Sequence, residues 1–217
     1  MPGVYMRFSV GRSGGSAANV RYITRPSATD ADRDALLIRN YPDYTREGDD
    51  YRELRGNLEE YARQREEDEA NQPRRGRGQP RTHYRAVLSF EEKVETEQAR
   101  DMAGEWIERE FPDSRAVAAV HQDTDHTHVH VHLQARDVDG HKLQLSDDRY
   151  HELDSEWADI YGREFGHDRA EEHEAKKEEM HAWKAKYARA LSEGREPPEA
   201  PERADRPDSS REIDDRE

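Results

Sequence analysis

Apolar and polar residues alternate over residues 4–10 (VYMRFSV), the period-two signature of a strand with one buried face. Glycine and serine break that pattern over 11–18 (GRSGGSAA) and lead into a short helix holding Val20, Tyr22 and Ile23, which Pro26 stops. Residues 30–39 are expected to be helical. Leu54, Leu58 and Tyr61 recur at helical spacing inside a charged helix over 49–70. A basic Pro/Gly loop at 73–81 precedes a strand at 84–90, and Ala99, Met102, Trp106 and Ile107 form the apolar stripe of a helix over 95–111. A hairpin follows, then an Asp139-Gly140 turn and a short strand at 142–145. Ser146 stands where a helix through Tyr161 needs its N-cap, and Gly162 or Gly166 closes that helix. Met180, Trp183, Tyr187 and Leu191 mark a last helix over about 169–191 that docks on the parent domain. The order strand–helix–strand–helix–hairpin predicts an α+β sandwich, a mostly antiparallel sheet with helices on its outer face and its other face open to a ligand. One domain over 1–166, a C-terminal helix over 167–193 and a disordered charged tail over 194–217 account for the chain.

The hairpin carries the chemistry. It reads VHQDTDHTHVHVHL and holds five of the chain's 11 histidines. From His126 onward they recur every second residue, so a strand places them on one face, with Val129 and Val131 on the other. A two-residue turn at Thr124-Asp125 sets His121 opposite His128, with Cβ atoms ~5 Å apart, and makes His130 the diagonal neighbour. Val120 then pairs with Val129 on the buried side, and Asp123 faces His126. Three imidazoles, His121, His128 and His130, converge from adjacent strands, which is a donor set for a divalent cation that suits zinc and also serves Mn, Ni or Co. Three ligands leave a position open for substrate. Asp123 is placed to hold a ligand histidine in its proper tautomer.

Composition sets limits. Only 32% of the 217 residues are hydrophobic and 39% are charged, so the core is modest. No apolar run reaches the ~20 residues of a membrane span, and no signal-peptide pattern opens the chain, which makes the cytoplasm the expected location. Zero cysteines exclude disulfides, thiolate metal sites and cysteine nucleophiles. The net charge of −15 is unevenly spread: residues 1–41 carry six Arg against three Asp, and residues 73–90 carry five Arg and no acid. An acidic protein can therefore present a basic face to a polyanion.

With no cysteine and no Ser-His-Asp pattern, the remaining nucleophiles are water on the cation or another side chain. Tyr22 lies in VRYITR between Arg21 and Arg25, just past the Gly/Ser turn. Its phenol, with a pKa of ~10, needs a nearby cation or base to act.

At this point the chain resembles the plasmid mobilization relaxases of the HUH endonuclease superfamily, of the MobA type, with the T-DNA border nickases as close relations. Three motifs carry the resemblance: Gly14-Gly15-Ser16 with Arg21-Tyr22-Ile23-Thr24-Arg25; His83-Tyr84-Arg85-Ala86-Val87-Leu88-Ser89-Phe90; and His121-x-Asp123-x-x-His126-x-His128-x-His130. It covers roughly residues 1–166. One departure is Gln134, where the family often has asparagine four residues after the last motif histidine.

The resemblance implies a five-stranded antiparallel sheet with flanking helices. It also implies a cation on His121, His128 and His130 that binds the scissile phosphate of single-stranded DNA at an origin of transfer. Tyr22 then attacks, giving a 5′-phosphotyrosyl link and a free 3′-hydroxyl. Asp123 orients a ligand histidine or helps deprotonate Tyr22. Arg7, Arg21, Arg25, Arg74, Arg75, Arg77, Ser89 and His126 contact the DNA, while His132 is not a ligand. Relaxosome accessory and coupling proteins are the implied partners. Two alternatives stay open: an HUH replication initiator or transposase that uses a downstream tyrosine (Tyr150 or Tyr161), and a DNA- and metal-binding accessory that never cuts.

Overall fold

The structure, a computed structural model, describes residues 6–12, 14–41, 48–72, 79–166, 182–183, 185–190, 192–193, 195 and 198. The elements are β1 (Met6–Arg12), α1 (Ser16–Ile23), α2 (Pro26–Thr29), β2 (Leu36–Arg39), α3 (Tyr51–Asn71), β3 (Arg81–Ser89), α4 (Thr96–Glu110), β4 (Ser114–His121), β5 (His128–Asp137) and α5 (Asp147–Phe165). Met180, Leu191, the 73–78 arginines and most of the expected tail lie outside the described residues, while 185–190 are helical.

The five strands form one sheet in the order β1-β3-β5-β4-β2, and every neighbouring pair is antiparallel. Strand alternation divides the residues between two faces. Tyr84, Ala86 and Leu88 of β3, Val129, Val131 and Leu133 of β5, and Ala116, Ala118 and Val120 of β4 form one buried face. Trp106 and Ile107 of α4 and Leu153, Trp157 and Tyr161 of α5 pack on it. The Trp106 indole donates to the Leu153 carbonyl at 3.1 Å, which joins the two helices. Leucines as fully buried as Leu133 and Leu153 each stabilise the fold by about 1.5–3 kcal/mol.

The opposite face carries the histidines, and it is not left open as the sequence predicts. β1 and β2 are the two edge strands, so the chain linking them must cross the sheet. Helix α1 makes that crossing. Val20 and Ile23 pack with Leu54, Leu58 and Tyr61 of α3 on Val117, Ala119 and Leu36. α3 starts on a complete capping box: Asp50 accepts from the Glu53 amide, and the Glu53 side chain accepts from the Asp50 amide. Over the β4–β2 half the face is therefore buried.

Three further expectations need correction. Residues 30–39 are not helical: Asp30 and Ala31 have φ of 54° and 52°, which ends α2, and 36–39 form edge strand β2. Leu36 and Ile38 pack on the α1/α3 side and Leu37 on the α4 side, so both faces are apolar and alternation is invisible. The hairpin turn is not two residues. Pairing stops at His121↔His128 and residues 122–127 form the connection. That loop is fastened to its neighbours, since Gln122 N donates to Ala28 O and the Thr127 hydroxyl accepts from Val94 N. The expected strand at 142–145 reduces to a single bridge, Arg136↔Lys142.

The β1–α1 turn depends on glycine at two places. Gly14 has φ of +91°, a left-handed backbone that side chains resist. Gly11 pairs with His83, and a Cβ added there would stand 2.0 Å from the imidazole Cε1. The ring cannot retreat, because it is buried and stacked on His132 with centroids 4.8 Å apart. Gly11→Ala should therefore cost about 1–3 kcal/mol by overpacking. Urea unfolding should also show the penalty shrinking when His83→Ala removes the ring.

Burial, helped by the Arg85 guanidinium, pushes the His83 pKa down from 6.5 to about 4. Between those values the unfolded chain binds a proton that the fold refuses, so stability rises with pH. Lowering the pH from 6.5 to 4 should cost up to about 3 kcal/mol through this ring. His132, kept neutral by burial, acts in the same direction. Unfolding midpoints taken from pH 7 to pH 4.5 should fall in the native protein and fall less steeply in His83→Gln.

Candidate active site

β5 presents His128, His130, His132 and Gln134 on the face that α1 crosses, and β4 adds His121 opposite His128. The rings of His121, His128 and His130 are mutual neighbours, with centroids 5.2 Å (121–128), 4.4 Å (121–130) and 5.0 Å (128–130) apart. One ring nitrogen from each lies within 4.8 Å of the other two. His121 Nε2 lies 2.6 Å from the Ile23 carbonyl; a carbonyl only accepts, so Nε2 carries the proton and Nδ1 keeps its lone pair. That Nδ1 is buried without a hydrogen-bond partner. His128 likewise turns Nδ1 toward the His126 carbonyl at 3.4 Å, which leaves Nε2 for the centre.

Burial lowers the pKa of all three, with His121 reaching about 4 and His130 falling well below its ordinary value. Neutral, convergent imidazoles with an orphaned lone pair fit a divalent cation.

His132 does different work. Its Nδ1 donates to Asn19 Oδ1 at 2.9 Å, and its Nε2 accepts from Gln134 Nε2 at 3.2 Å and faces Ser16 Oγ at 3.4 Å. Both nitrogens are spent, so it holds α1 to the sheet. Gln134, which departs from the family's asparagine, serves this contact.

The last turn of α1 carries Tyr22 to the edge of the histidine cluster. Its ring stands edge-on to His130 at 5.5 Å and to His121 at 6.3 Å, and the residue is 51% exposed. The Arg25 guanidinium lies over the same ring, 4.4 Å from its centroid. Arg25 in turn pairs with Asp123 at 2.6 Å. Burial alone would raise the Asp123 carboxyl, but Arg25 outweighs it and holds the pKa below the usual value. Asp123 thus faces Arg25, and no hydrogen bond joins it to a histidine among the described residues. Tyr161 is fully buried on the far face against Phe90 and Phe165, and Tyr150 packs on Phe8, whose row faces away from the histidines.

The remaining expected contacts divide. Arg7 pairs across the sheet with Val87, which pairs with His130, and Ser89 pairs with His128, so both share the site's face. Arg21 is bound to Glu59 of α3 at 2.9 Å. His126 lies in the 122–127 loop, outside the cluster of ring nitrogens. Arg74, Arg75 and Arg77 fall outside the described residues.

Sequence reasoning passed over Arg85. It pairs with His132 and Ser9 on the same face, it is exposed, and neither it nor Arg7 forms an ion pair among the described residues. Its place two residues after His83 in an alternating strand was the available signal.

Among the described residues, no helix is long and apolar enough to cross a membrane. No curated protein matches the chain. Among solved structures the chain is similar to the MobM relaxase domain (MOBV; Mob_Pre), described as bound to plasmid pMV158 oriT DNA in a Mn-bound crystal form at pH 6.8. Identity is 12% over 79% of this chain and 87% of that one, with a TM-score of 0.44. The family described as "Relaxase: MobA/VirD2-like, nuclease domain" matches residues 22–166, about two thirds of the chain. That span takes in Tyr22, the three clustered histidines and four of the five strands beneath them, and the chain belongs to the MobA/VirD2-like relaxases, DNA-nicking nucleases of plasmid mobilization.

Proposed function

We propose that this relaxase cuts and rejoins one DNA strand at a plasmid origin of transfer, with Tyr22 as nucleophile beside a divalent cation held by His121, His128 and His130. The observation that carries the reading is the half-exposed Tyr22 ring standing edge-on to His130 at 5.5 Å, at the rim of the imidazole cluster. A bound Mg, Mn or Zn ion supplies Lewis-acid polarisation of the scissile phosphate. His121 Nδ1 offers the lone pair that its Ile23 bond leaves free.

The Tyr22 phenol forms the Oη–P bond as the P–O3′ bond breaks. The phenolic proton passes to solvent and the leaving 3′-oxygen gains one. The 5′-phosphotyrosyl link keeps the energy of the broken phosphodiester, so the reverse attack by a 3′-hydroxyl rejoins DNA without a nucleotide cofactor. Arg7 and Arg85, uncommitted arginines on the β1–β3 half of the same face, hold backbone phosphates next to the cluster. Ser89, opposite His128 on the same face, offers a hydroxyl to a phosphate or to the departing 3′ end. Arg74, Arg75 and Arg77, a few residues before β3 in sequence, are further candidates for phosphate contact.

A single-stranded oligonucleotide spanning the origin, labelled at its 3′ end and incubated with Mn²⁺, should yield a covalent protein adduct on a denaturing gel. Tyr22→Phe should abolish the adduct, Tyr161→Phe should keep it, and a chelator should prevent it. An adduct of undiminished yield from Tyr22→Phe would remove the tyrosine from the mechanism. In metal-free binding titrations, Arg85→Ala should weaken every sequence alike and flatten the slope of log affinity against log salt by about 0.7. An unchanged slope would take Arg85 out of the DNA path.

A further inference from the structure

We propose that Arg25 and Asp123 together form a clamp that positions Tyr22, with Asp123 acting on the phenol only through the guanidinium. This rests on the reading of Tyr22 as nucleophile and assigns Asp123 and Arg25 roles other than histidine orienter, base or phosphate contact.

Both ends of the clamp are rigidly mounted. Arg25 precedes Pro26, which restricts it to extended backbone, and it has φ −70° and ψ 135°. Its carbonyl accepts from Ala28 N at 3.1 Å and from the Thr29 hydroxyl at 3.2 Å. Asp123 follows Gln122, whose amide donates to Ala28 O at 3.2 Å and whose side chain donates to Val94 O at 2.7 Å. The guanidinium between them has two committed nitrogens: one terminal nitrogen meets Asp123 Oδ2 at 2.6 Å, the other meets the Tyr22 carbonyl at 3.1 Å. Its flat face covers the Tyr22 ring at 4.4 Å.

The alternatives fit these contacts poorly. A partner that sets a ligand's tautomer must bond the ligand's outer nitrogen. On His121 that nitrogen is taken by Ile23 O, and on His128 it faces His126 O. A phosphate clamp presents free guanidinium edges, whereas Arg25 spends two nitrogens inside the protein.

Tyr22 itself needs the clamp. Half exposed at the end of a helix, its ring meets His130 only by an edge, and without a lid the rotamer facing solvent competes. The Arg25 face blocks that swing, and Asp123 keeps Arg25 from leaving with it.

Four readouts test the clamp, three of them independent of turnover. In protein carrying ¹³C-labelled tyrosine, nuclear Overhauser contacts between the Tyr22 and His130 rings should be present in the native chain. They should be lost in both Arg25→Ala and Asp123→Ala. Mn²⁺ affinity of Asp123→Asn should stay within about twofold of native, whereas a carboxylate orienting a ligand would cost about 10–100-fold on removal. Metal-free oligonucleotide binding by Arg25→Ala should keep the native salt slope, whereas a phosphate contact would lower it by about 0.7. In turnover, each alanine variant should lose about 5-fold or more in kcat at near-constant KM, and the double variant should lose no more than the worse single one.

Tyr22 contacts that survive in Asp123→Ala, a collapse of Mn²⁺ affinity in Asp123→Asn, or a flattened slope in Arg25→Ala would each overturn the clamp. The ring contacts, metal affinity and salt slope do not depend on which group attacks DNA. An adduct from Tyr22→Phe would therefore end the tyrosine reading while these three still decide the clamp.

Discussion

Helix α1 is fastened to imidazoles at both ends, and the location of Tyr22 follows from that fastening. At its start Ser16 and Asn19 face the two nitrogens of His132; at its end the Ile23 carbonyl accepts from His121. Each such bond contributes only about 0.5–1.5 kcal/mol net, but a buried ring left without its partner costs about 1–3 kcal/mol. A slip of one turn would displace the phenol by about 5.4 Å and orphan every one of these groups. Val20 and Ile23, packed among the α3 leucines, oppose the same slip through apolar burial. The helix is only eight residues long, too short to hold its shape unaided, so its tertiary anchors decide where it lies.

How much of this was readable from the chain depended on whether the signal was local. The Val120↔Val129 and His121↔His128 pairings follow from centring the turn on Thr124-Asp125 with the valines inward, and the structure has them. The turn length did not follow, because 122–127 is shaped by bonds to Ala28 and to the residues around Val94. The partner of Asp123 was hidden for the same reason: Arg25 lies 98 positions away. β2 escaped because Leu36, Leu37 and Ile38 pack apolar side chains on both faces and so carry no period. The cover over the histidine face was missed because placing α1 and α3 needs the strand order, with β1 and β2 on opposite edges, and no residue pattern states that order.

Strand order also reconciles the acidic total with a nucleic-acid site. α3 carries much of the acid, and its carboxylates are absorbed by arginines of the same helix or its neighbours: Arg63 with Glu60, Arg55 and Arg21 with Glu59, and Arg136 with the buried Glu69. The exposed pairs among these add little stability, about 0–1 kcal/mol each, yet together they neutralise the helix that borders the site. On the β1–β3 half, by contrast, Arg7 and Arg85 project from strands that carry no acid at all. A net charge of −15 therefore does not describe the potential met by a strand approaching the histidines, since charges beyond about 8–10 Å are screened at ordinary salt.

Four histidines in a row on β5 and its loop invite the conclusion that all are alike, and the alternation that reveals them cannot rank them. The ranking comes from what each ring's second nitrogen meets. His132 has partners on both sides and is a strut, buried completely beneath α1. His121 has one nitrogen on a carbonyl and one on nothing, which is the condition of a ligand. Burial depresses the pKa of both; the fold needs this at His132, which once protonated could not accept from Gln134, and the proposed cation needs it at His121, which once protonated would have no lone pair to give. The division between His130 and His132 is then made by helix α1, which lies on one and ends beside the other, with Tyr22 at the boundary.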